Sequence, residues 1–323
     1  MRYFLGYRGD GLALLGERDR ALIVNRLYEE EARNLQAQAT VIVAQRSVPA
    51  AIRSFVGNGR RVGIQNSESL YLATTLRKAG FRVRVLAAHE LRTRKTAEEL
   101  ATIKRAYEVI EGAFEEVIGE LRAGQTEREI AGRIVAAIMK RGGEGTSFDP
   151  VVAIGENASL PHALPGARTL EPGDLVLFDI GARVDGYCSD ITRCVLFGKS
   201  AEKRRLERQY VALREAQDAA LEMLADGERS ARAIDEAARA LLRKRKLGSR
   251  FIHGLGHGIG LEVHESPTLG RASKDMLADN MAFTIEPGVY FPGRYGLRLE
   301  DAVYLSDGNP VFLTTLPREL LCI

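Results

Sequence analysis

Cysteine and histidine are scarce in this 323-residue chain: it has three of the first and five of the second. Cys188, Cys194 and Cys322 are odd in number and show no metal-type spacing. That argues against a disulfide framework and fits a reducing, cytoplasmic compartment. Long apolar runs are missing too. No segment approaches the roughly 18 residues of a membrane span, and the opening residues carry no secretory pattern. Charge of one sign is not in excess, since 46 basic and 43 acidic residues leave +3. No basic run is interleaved with aromatics, as a nucleic-acid groove requires. Neither nucleic acid nor membrane is therefore expected as a partner.

An apolar content of 45% supports a sizeable core, and the length suits one large domain or two ordinary ones. Residues 1–93 alternate short apolar runs with helical patterns, which predicts a smaller α/β domain. Leu12–Leu15 and Ala21–Val24 flank Gly-Glu-Arg-Asp as a hairpin. Further strands are predicted at Thr40–Ala44, Arg61–Ile64 and Phe81–Leu86, with helices over 28–38 and 68–78 between them. His89 stands alone here and reads as structural or exposed.

A charged segment then leads into a long helix, with Ile103, Tyr107, Ile110, Phe114, Val117 and Leu121 on one face and Gly124 as its stop. Thr126 and Glu129 have capping-box spacing for the next helix, which ends at Gly142-Gly143. The domain boundary is placed near residue 93, at the charged entry to the long helix, giving 94–323 as an α+β domain. Two passages in it echo each other. Each reads helix, helix, strand, then two carboxylates: Asp179 and Asp190 in the first, Glu286 and Glu300 in the second. A strand, a turn and a returning strand would bring each pair to one level of a sheet. This predicts an internal pseudo-twofold repeat with a site between the halves.

Three of the five histidines fall in His253-Gly-Leu-Gly-His-Gly-Ile-Gly-Leu-Glu-Val-His-Glu265. Its glycines would let backbone approach whatever the imidazoles face. The four carboxylates lie among apolar strand residues, where a lone charge is costly to bury. Together with a clustered histidine they predict a shared cationic partner. Carboxylates favour hard cations, and an imidazole moves the preference toward manganese, iron, cobalt or zinc. Five such groups are too many for one catalytic ion and suit two.

Asp179, Asp190, His257, Glu286 and Glu300 resemble, in chain order, the five ligands of the pita-bread metallopeptidases. That family includes methionine aminopeptidase, aminopeptidase P and prolidase. The paired histidines of His253-Gly-Leu-Gly-His257, the Pro161-His162 step and Val263-His264-Glu265 resemble its Xaa-Pro branch. Residues 1–93 resemble most of that branch's creatinase N-terminal-like, ribonuclease H-like domain. Met1-Arg-Tyr-Phe-Leu-Gly-Tyr resembles a segment found some way into it, so roughly 25–30 residues, one strand–helix unit, are expected to precede it.

The resemblance implies a pita-bread fold and hydrolysis of the Xaa-Pro peptide bond in dipeptides by a hydroxide held between two divalent ions. Manganese is the first choice, with cobalt or zinc as alternatives. It implies that Asp190 and Glu300 bridge the ions, Asp179 completes one, and His257 and Glu286 complete the other. Glu286 is also the acid–base group. His162, His253 and His264 would be catalytic and substrate-binding, holding the substrate carbonyl or relaying a proton. Arg298 joins the substrate-binding set, mainly to orient the carboxylate ligands. Phe148, Tyr187 and Tyr290 are candidates to line a proline pocket, and Cys188 reads as packing. The implied partners are a small peptide with proline second and a second copy of the chain as a homodimer. The alternatives are aminopeptidase P on longer peptides, methionine aminopeptidase, and a non-catalytic binding protein. Asn280, where the family has glycine, would need to tolerate a left-handed backbone.

Overall fold

The structure, a computed structural model, describes residues 2–35, 39–44, 47–57, 59, 61–65 and 68–323. The chain packs as two units, Met1–Arg92 and Thr93–Ile323.

The first unit opens with a short helix, α1 (Arg2–Leu5). The hairpin follows as β1 (Leu12–Leu15) and β2 (Arg20–Val24), with Leu12 opposite Ile23. The helix predicted over 28–38 is a 3-10 turn, Arg26–Tyr28, and five α-helical residues, α2 (Glu29–Arg33). Only Ala32 of α2 is buried, so little apolar surface supports a longer helix; residues 36–38 lie outside the described residues. β3 (Thr40–Val43) runs parallel to β2. α3 (Val48–Val56), capped by Ser47, has no counterpart in the sequence reading. β4 (Arg61–Gln65), α4 (Leu70–Lys78) and β5 (Arg82–Leu86) form a β–α–β unit with parallel strands. The side chain of His89 lies outside the described residues.

The second unit begins with α5 (Ala97–Gly119) and α6 (Glu127–Lys140). Thr96 with Glu99, and Thr126 with Glu129, make reciprocal capping boxes, which satisfy two orphan donors at each helix start. α5 stops at Gly119, short of Gly124. Next come β6 (Gly145–Thr146), β7 (Val151–Ile154), β8 (Leu175–Ile180), β9 (Ala182–Val184), β10 (Tyr187–Cys188) and β11 (Ile191–Leu196). α7 (Lys203–Ala225) and α8 (Ala231–Lys244) introduce the second half. It continues with β12 (Gly256–Gly258), β13 (Glu265–Leu269), β14 (Ala282–Ile285), β15 (Gly288–Phe291), β16 (Tyr295–Arg298), β17 (Asp301–Ser306), β18 (Asn309–Phe312) and β19 (Leu321–Cys322).

Two sheets carry the site. One runs β19-β11-β8-β7, the other β13-β12-β14-β17-β18, and a single bridge between Thr192 and Glu300 joins them. Both are covered by helices, so their strands read as near-continuous apolar runs rather than as alternation. Val176, Phe178 and Ile180 of β8 enter the cluster built on α5 and α6. Leu175 and Leu177 enter the cluster built on α7 and α8. In each half a strand leaves, a small hairpin intervenes, and a strand returns antiparallel. β8 and β11 pair around β9–β10, while β14 and β17 pair around β15–β16. The turn expected between each carboxylate pair is thus itself a hairpin. Asn280 has φ +67, the left-handed geometry expected of it.

Candidate metal centre

The carboxylates sit at matching points of the two halves. Asp179 lies in β8 opposite Thr192, and Asp190 immediately precedes β11. Glu286 follows the last residue of β14, and Glu300 precedes β17. Glu286 is fixed by its N–H donating to the Leu255 carbonyl at 2.7 Å, and Glu300 by its N–H donating to that of Thr192 at 3.2 Å.

The histidine stretch is threaded between neighbouring strands, and its glycines serve that packing. A Cβ on Gly256 would stand 2.0 Å from the Thr284 carbonyl oxygen, and one on Gly258 would stand 2.2 Å from that of Ser266. The sequence reading had these glycines opening the backbone to what the imidazoles face; the close approach is to β13 and β14 instead. Beneath the stretch, Asp235 and Arg239 of α8 form a buried ion pair. Arg239 donates to the carbonyls of Phe251 and His253, and Asp235 accepts from the Leu255 N–H at 3.1 Å.

All five expected ligands converge. His257 Nε2 is 3.4 Å from Glu286 Oε1 and 3.6 Å from Asp190 Oδ2. Asp179, Asp190 and Glu300 bring donor atoms within 4.8 Å of one another; so do His257, Glu286 and Glu300, and so do Asp190, His257 and His264. The His257 Nδ1–H faces the Gly258 carbonyl at 3.1 Å, which leaves the Nε2 lone pair directed at the carboxylates. Burial, then the neighbouring His264, lowers the His257 pKa to about 4, so the ring is neutral.

The same burial works against the acids. It raises Glu286 to about 8, with Arg298 opposing and Asp179 reinforcing the rise. Asp190 and Glu300 are pushed well above the ordinary range by burial and then by neighbouring carboxylates, Glu300 acting on Asp190 and Glu286 on Glu300. Asp190 Oδ1 is buried without a hydrogen-bond partner. Arg298 is the cation bonded to the group, through Asp179. Clustered buried acids, an orphaned carboxylate oxygen and a neutral imidazole aimed among them fit divalent cations, which would neutralise the charge and occupy the unused lone pairs.

The remaining histidines border this cluster. His253 Nδ1 is 4.0 Å from Glu286 Oε2, and its pKa falls to about 3 through burial and then the nearby Arg298. The His264 ring packs edge-on to His257 at 4.1 Å. One of its ring nitrogens lies within 4.8 Å of donor atoms of Asp190 and His257. His162 is exposed, and a charge on it is felt at both His253 and His264.

Arg298 is buried and donates to Asp179, to Thr192 Oγ1 at 2.9 Å and to the Tyr290 hydroxyl at 2.6 Å. Tyr290 in turn meets His253 Nε2 at 3.0 Å. A polar chain therefore runs Asp179–Arg298–Tyr290–His253, and the Tyr290 hydroxyl is spent within it. Tyr187 donates to Glu99 at 2.8 Å, and Phe148 lies against Gly181. The Cys188 thiol is buried beside the Leu261 carbonyl.

Three supporting residues escaped the sequence reading. Thr192 donates to Glu300 Oε2 at 2.7 Å. Thr284 accepts from the His257 N–H at 3.2 Å and reaches Glu286 Oε1 at 3.5 Å. Tyr107 exchanges hydrogen bonds with the Asp190 backbone across α5, at 3.1 and 3.3 Å. The threonines were findable, each two residues from a ligand on one strand face. Tyr107 has no such signal.

Residues 101–307 match the model of metallopeptidase family M24, and residues 1–94 match the creatinase/prolidase N-terminal domain. The Xaa-Pro dipeptidase of Pyrococcus furiosus is 38% identical over 72% of this chain and 66% of its own length. The Xaa-Pro dipeptidase of Lactobacillus helveticus is 41% identical over 70% of this chain and 61% of its own. The crystal structure of an X-Pro aminopeptidase from Thermotoga maritima superposes with a TM-score of 0.90 at 32% identity, covering 100% of this chain and 93% of that one. Against the two dipeptidases the chain spans about two thirds of their length or slightly less.

Proposed function

The chain belongs to metallopeptidase family M24, and from that premise we propose that it hydrolyses the Xaa-Pro bond of dipeptides and releases proline. The observation that carries this reading is the convergence of four carboxylates and a neutral imidazole, with Asp190 Oδ1 buried and unpartnered among the described residues. These residues would hold two divalent cations, manganese first with cobalt or zinc as alternatives, which would make a water nucleophilic at neutral pH by lowering its pKa.

Asp190, His257 and Glu300 each belong to two of the converging groups; of these, the carboxylates Asp190 and Glu300 have two oxygens each, which suits them to the shared positions. Asp179 stands to one side, and His257 and Glu286 to the other. Glu286 takes the proton of the attacking water and returns it toward the proline nitrogen. His162, His253 and His264 hold the substrate carbonyl and the tetrahedral oxygen. Arg298 fixes Asp179 from behind and sets His253 through Tyr290. The leaving nitrogen belongs to a tertiary amide without N–H, so recognition falls to the ring and to the carbonyls on either side.

A dipeptide is favoured over a longer chain by the similarity to the Xaa-Pro dipeptidases of Pyrococcus furiosus and Lactobacillus helveticus. An aminopeptidase acting on longer Xaa-Pro peptides is the second reading, supported by the similarity to the Thermotoga enzyme. A homodimer and a reducing, cytoplasmic setting complete the proposal; the three cysteines are all free, and among the described residues no helix is long and apolar enough to cross a membrane.

The test is to load the protein with manganese and compare Gly-Pro, Xaa-Pro-Xaa and Met-Ala. Fastest turnover of Gly-Pro is expected, and Glu286→Ala should abolish it. Preference for Xaa-Pro-Xaa selects the second reading. Preference for Met-Ala, or an unaffected Glu286→Ala, overturns the proposal.

A further inference from the structure

His162 is exposed, and among the described residues its ring makes no hydrogen bond, so the backbone of its loop must place it. That loop, residues 155–166, hangs from one carboxylate. Glu127, the first residue of α6, is fully buried. Its Oε1 accepts from the Ile154 N–H at 2.7 Å and from Asn157 Nδ2 at 2.9 Å, on the incoming limb. Its Oε2 accepts from the Gly166 N–H at 2.8 Å, on the outgoing limb. The Glu127 N–H donates to the Arg168 carbonyl at 3.0 Å, and Thr126 bridges to Thr169. A carboxylate at a helix N-terminus is stabilised by the helix dipole, but here its lone pairs are turned on the loop.

The loop is also seated on the strand that carries Arg298. The Ala158 carbonyl lies 2.0 Å from where a Cβ on Gly296 would be, and Arg298 Nη1 reaches the Pro161 carbonyl at 3.5 Å. Movement of the loop would therefore displace His162 across the mouth of the site.

We propose that Glu127 is the positioning residue for His162: it closes both ends of the 155–166 loop and so sets where that imidazole meets the substrate. The proposal rests on the reading of His162 as a substrate-facing group, and its test separates the two. Glu127→Gln keeps size but puts an amide N–H against a backbone N–H, so one limb is released. His162→Ala should lower turnover roughly a hundredfold. Glu127→Gln should lower kcat about tenfold or more with KM little changed, since a displaced transition-state donor acts on kcat. In the His162→Ala background the same change should have no further effect. Bound metal should stay at the wild-type content. In metal-free protein, hydrogen exchange over 155–166 should quicken about tenfold in Glu127→Gln, with α5 unchanged.

Gly166→Ala provides a second perturbation should the first variant fold poorly. Its Cβ would stand 3.2 Å from Glu127 Oε2, pushing the same joint open, and it should show the same loss of effect in the His162→Ala background. An equal drop in kcat with and without His162 overturns the proposal, as does unchanged exchange over 155–166. Wild-type turnover in His162→Ala sinks both the proposal and the reading of His162, a result distinct from the other two.

Discussion

Metal removal should leave a protein whose stability falls as pH rises above about 6.5, opposite to the behaviour of an ion-paired carboxylate. Glu286 is ordinarily half-protonated near 4.5, and in the folded chain near 8. Between those values the native state binds the proton and the unfolded state does not, so raising pH favours unfolding. The stability associated with protonated Glu286 is present in full below 4.5 and lost as pH climbs to about 8. At about 1.4 kcal/mol for each pH unit, that interval amounts to something on the order of 5 kcal/mol from one residue. Asp190 and Glu300 are displaced in the same direction and deepen the effect. The whole is comparable with the net stability of an ordinary domain. The chain has no tryptophan, so circular dichroism is the probe of choice. His253 and His257, with pKa values lowered to about 3 and about 4, work the other way as pH rises to 6.5, so chelator-treated protein should show urea midpoints that fall between pH 6.5 and pH 8. Manganese should restore them and flatten the profile, because the cations take over the neutralisation that protons provide in their absence. A metal-free midpoint that is level or rising across this range would refute the argument that the carboxylates repel one another in one buried cluster.

Arg298→Lys cannot reach Asp179, Thr192 and Tyr290 together; metal affinity should fall ten- to a hundredfold, measured by competition with a chromophoric chelator, and unchanged affinity would contradict the positioning role. Thr192→Val removes the donor to Glu300 Oε2 and should cost about 1–3 kcal/mol, read as a lower midpoint that is larger in the metal-free form. Arg193→Met leaves Asp301 buried without its nearest cation, since the pair is 1% exposed on both sides. A loss of about 3–5 kcal/mol is expected, and a stable variant would show that Thr314, Gln217 and Arg318 suffice to hold Asp301.

The five converging residues were legible because their signals are local. Each carboxylate interrupts an apolar strand run, and His257 lies among glycines, so single residues stood out from their neighbours. The start of α6 was legible for the same reason, in the spacing of Thr126 and Glu129, whereas the reciprocal box at Thr96 went unread. Supports drawn from distant segments were not. Tyr107 reaches Asp190 from α5, Glu127 holds a loop well downstream of it, and Asp235 with Arg239 braces the histidine stretch from α8. On a helix wheel Tyr107 reads as part of the apolar face and the other three as ordinary polar residues.

The linear order of residues thus determined which groups would be costly to bury singly, and hence that they must share a cationic partner. It also determined the strand–carboxylate rhythm repeated in the two halves. Only the tertiary structure decided how those halves meet, through the Thr192–Glu300 bridge that brings Asp179 and Asp190 to Glu286 and Glu300. It alone decided that the glycines around His257 serve neighbouring backbone and that Tyr290 is engaged by Arg298 and His253. The reason is physical: the cost of burying a charge is a property of one residue and its neighbours, whereas the geometry that offsets it depends on contacts between segments far apart in the chain.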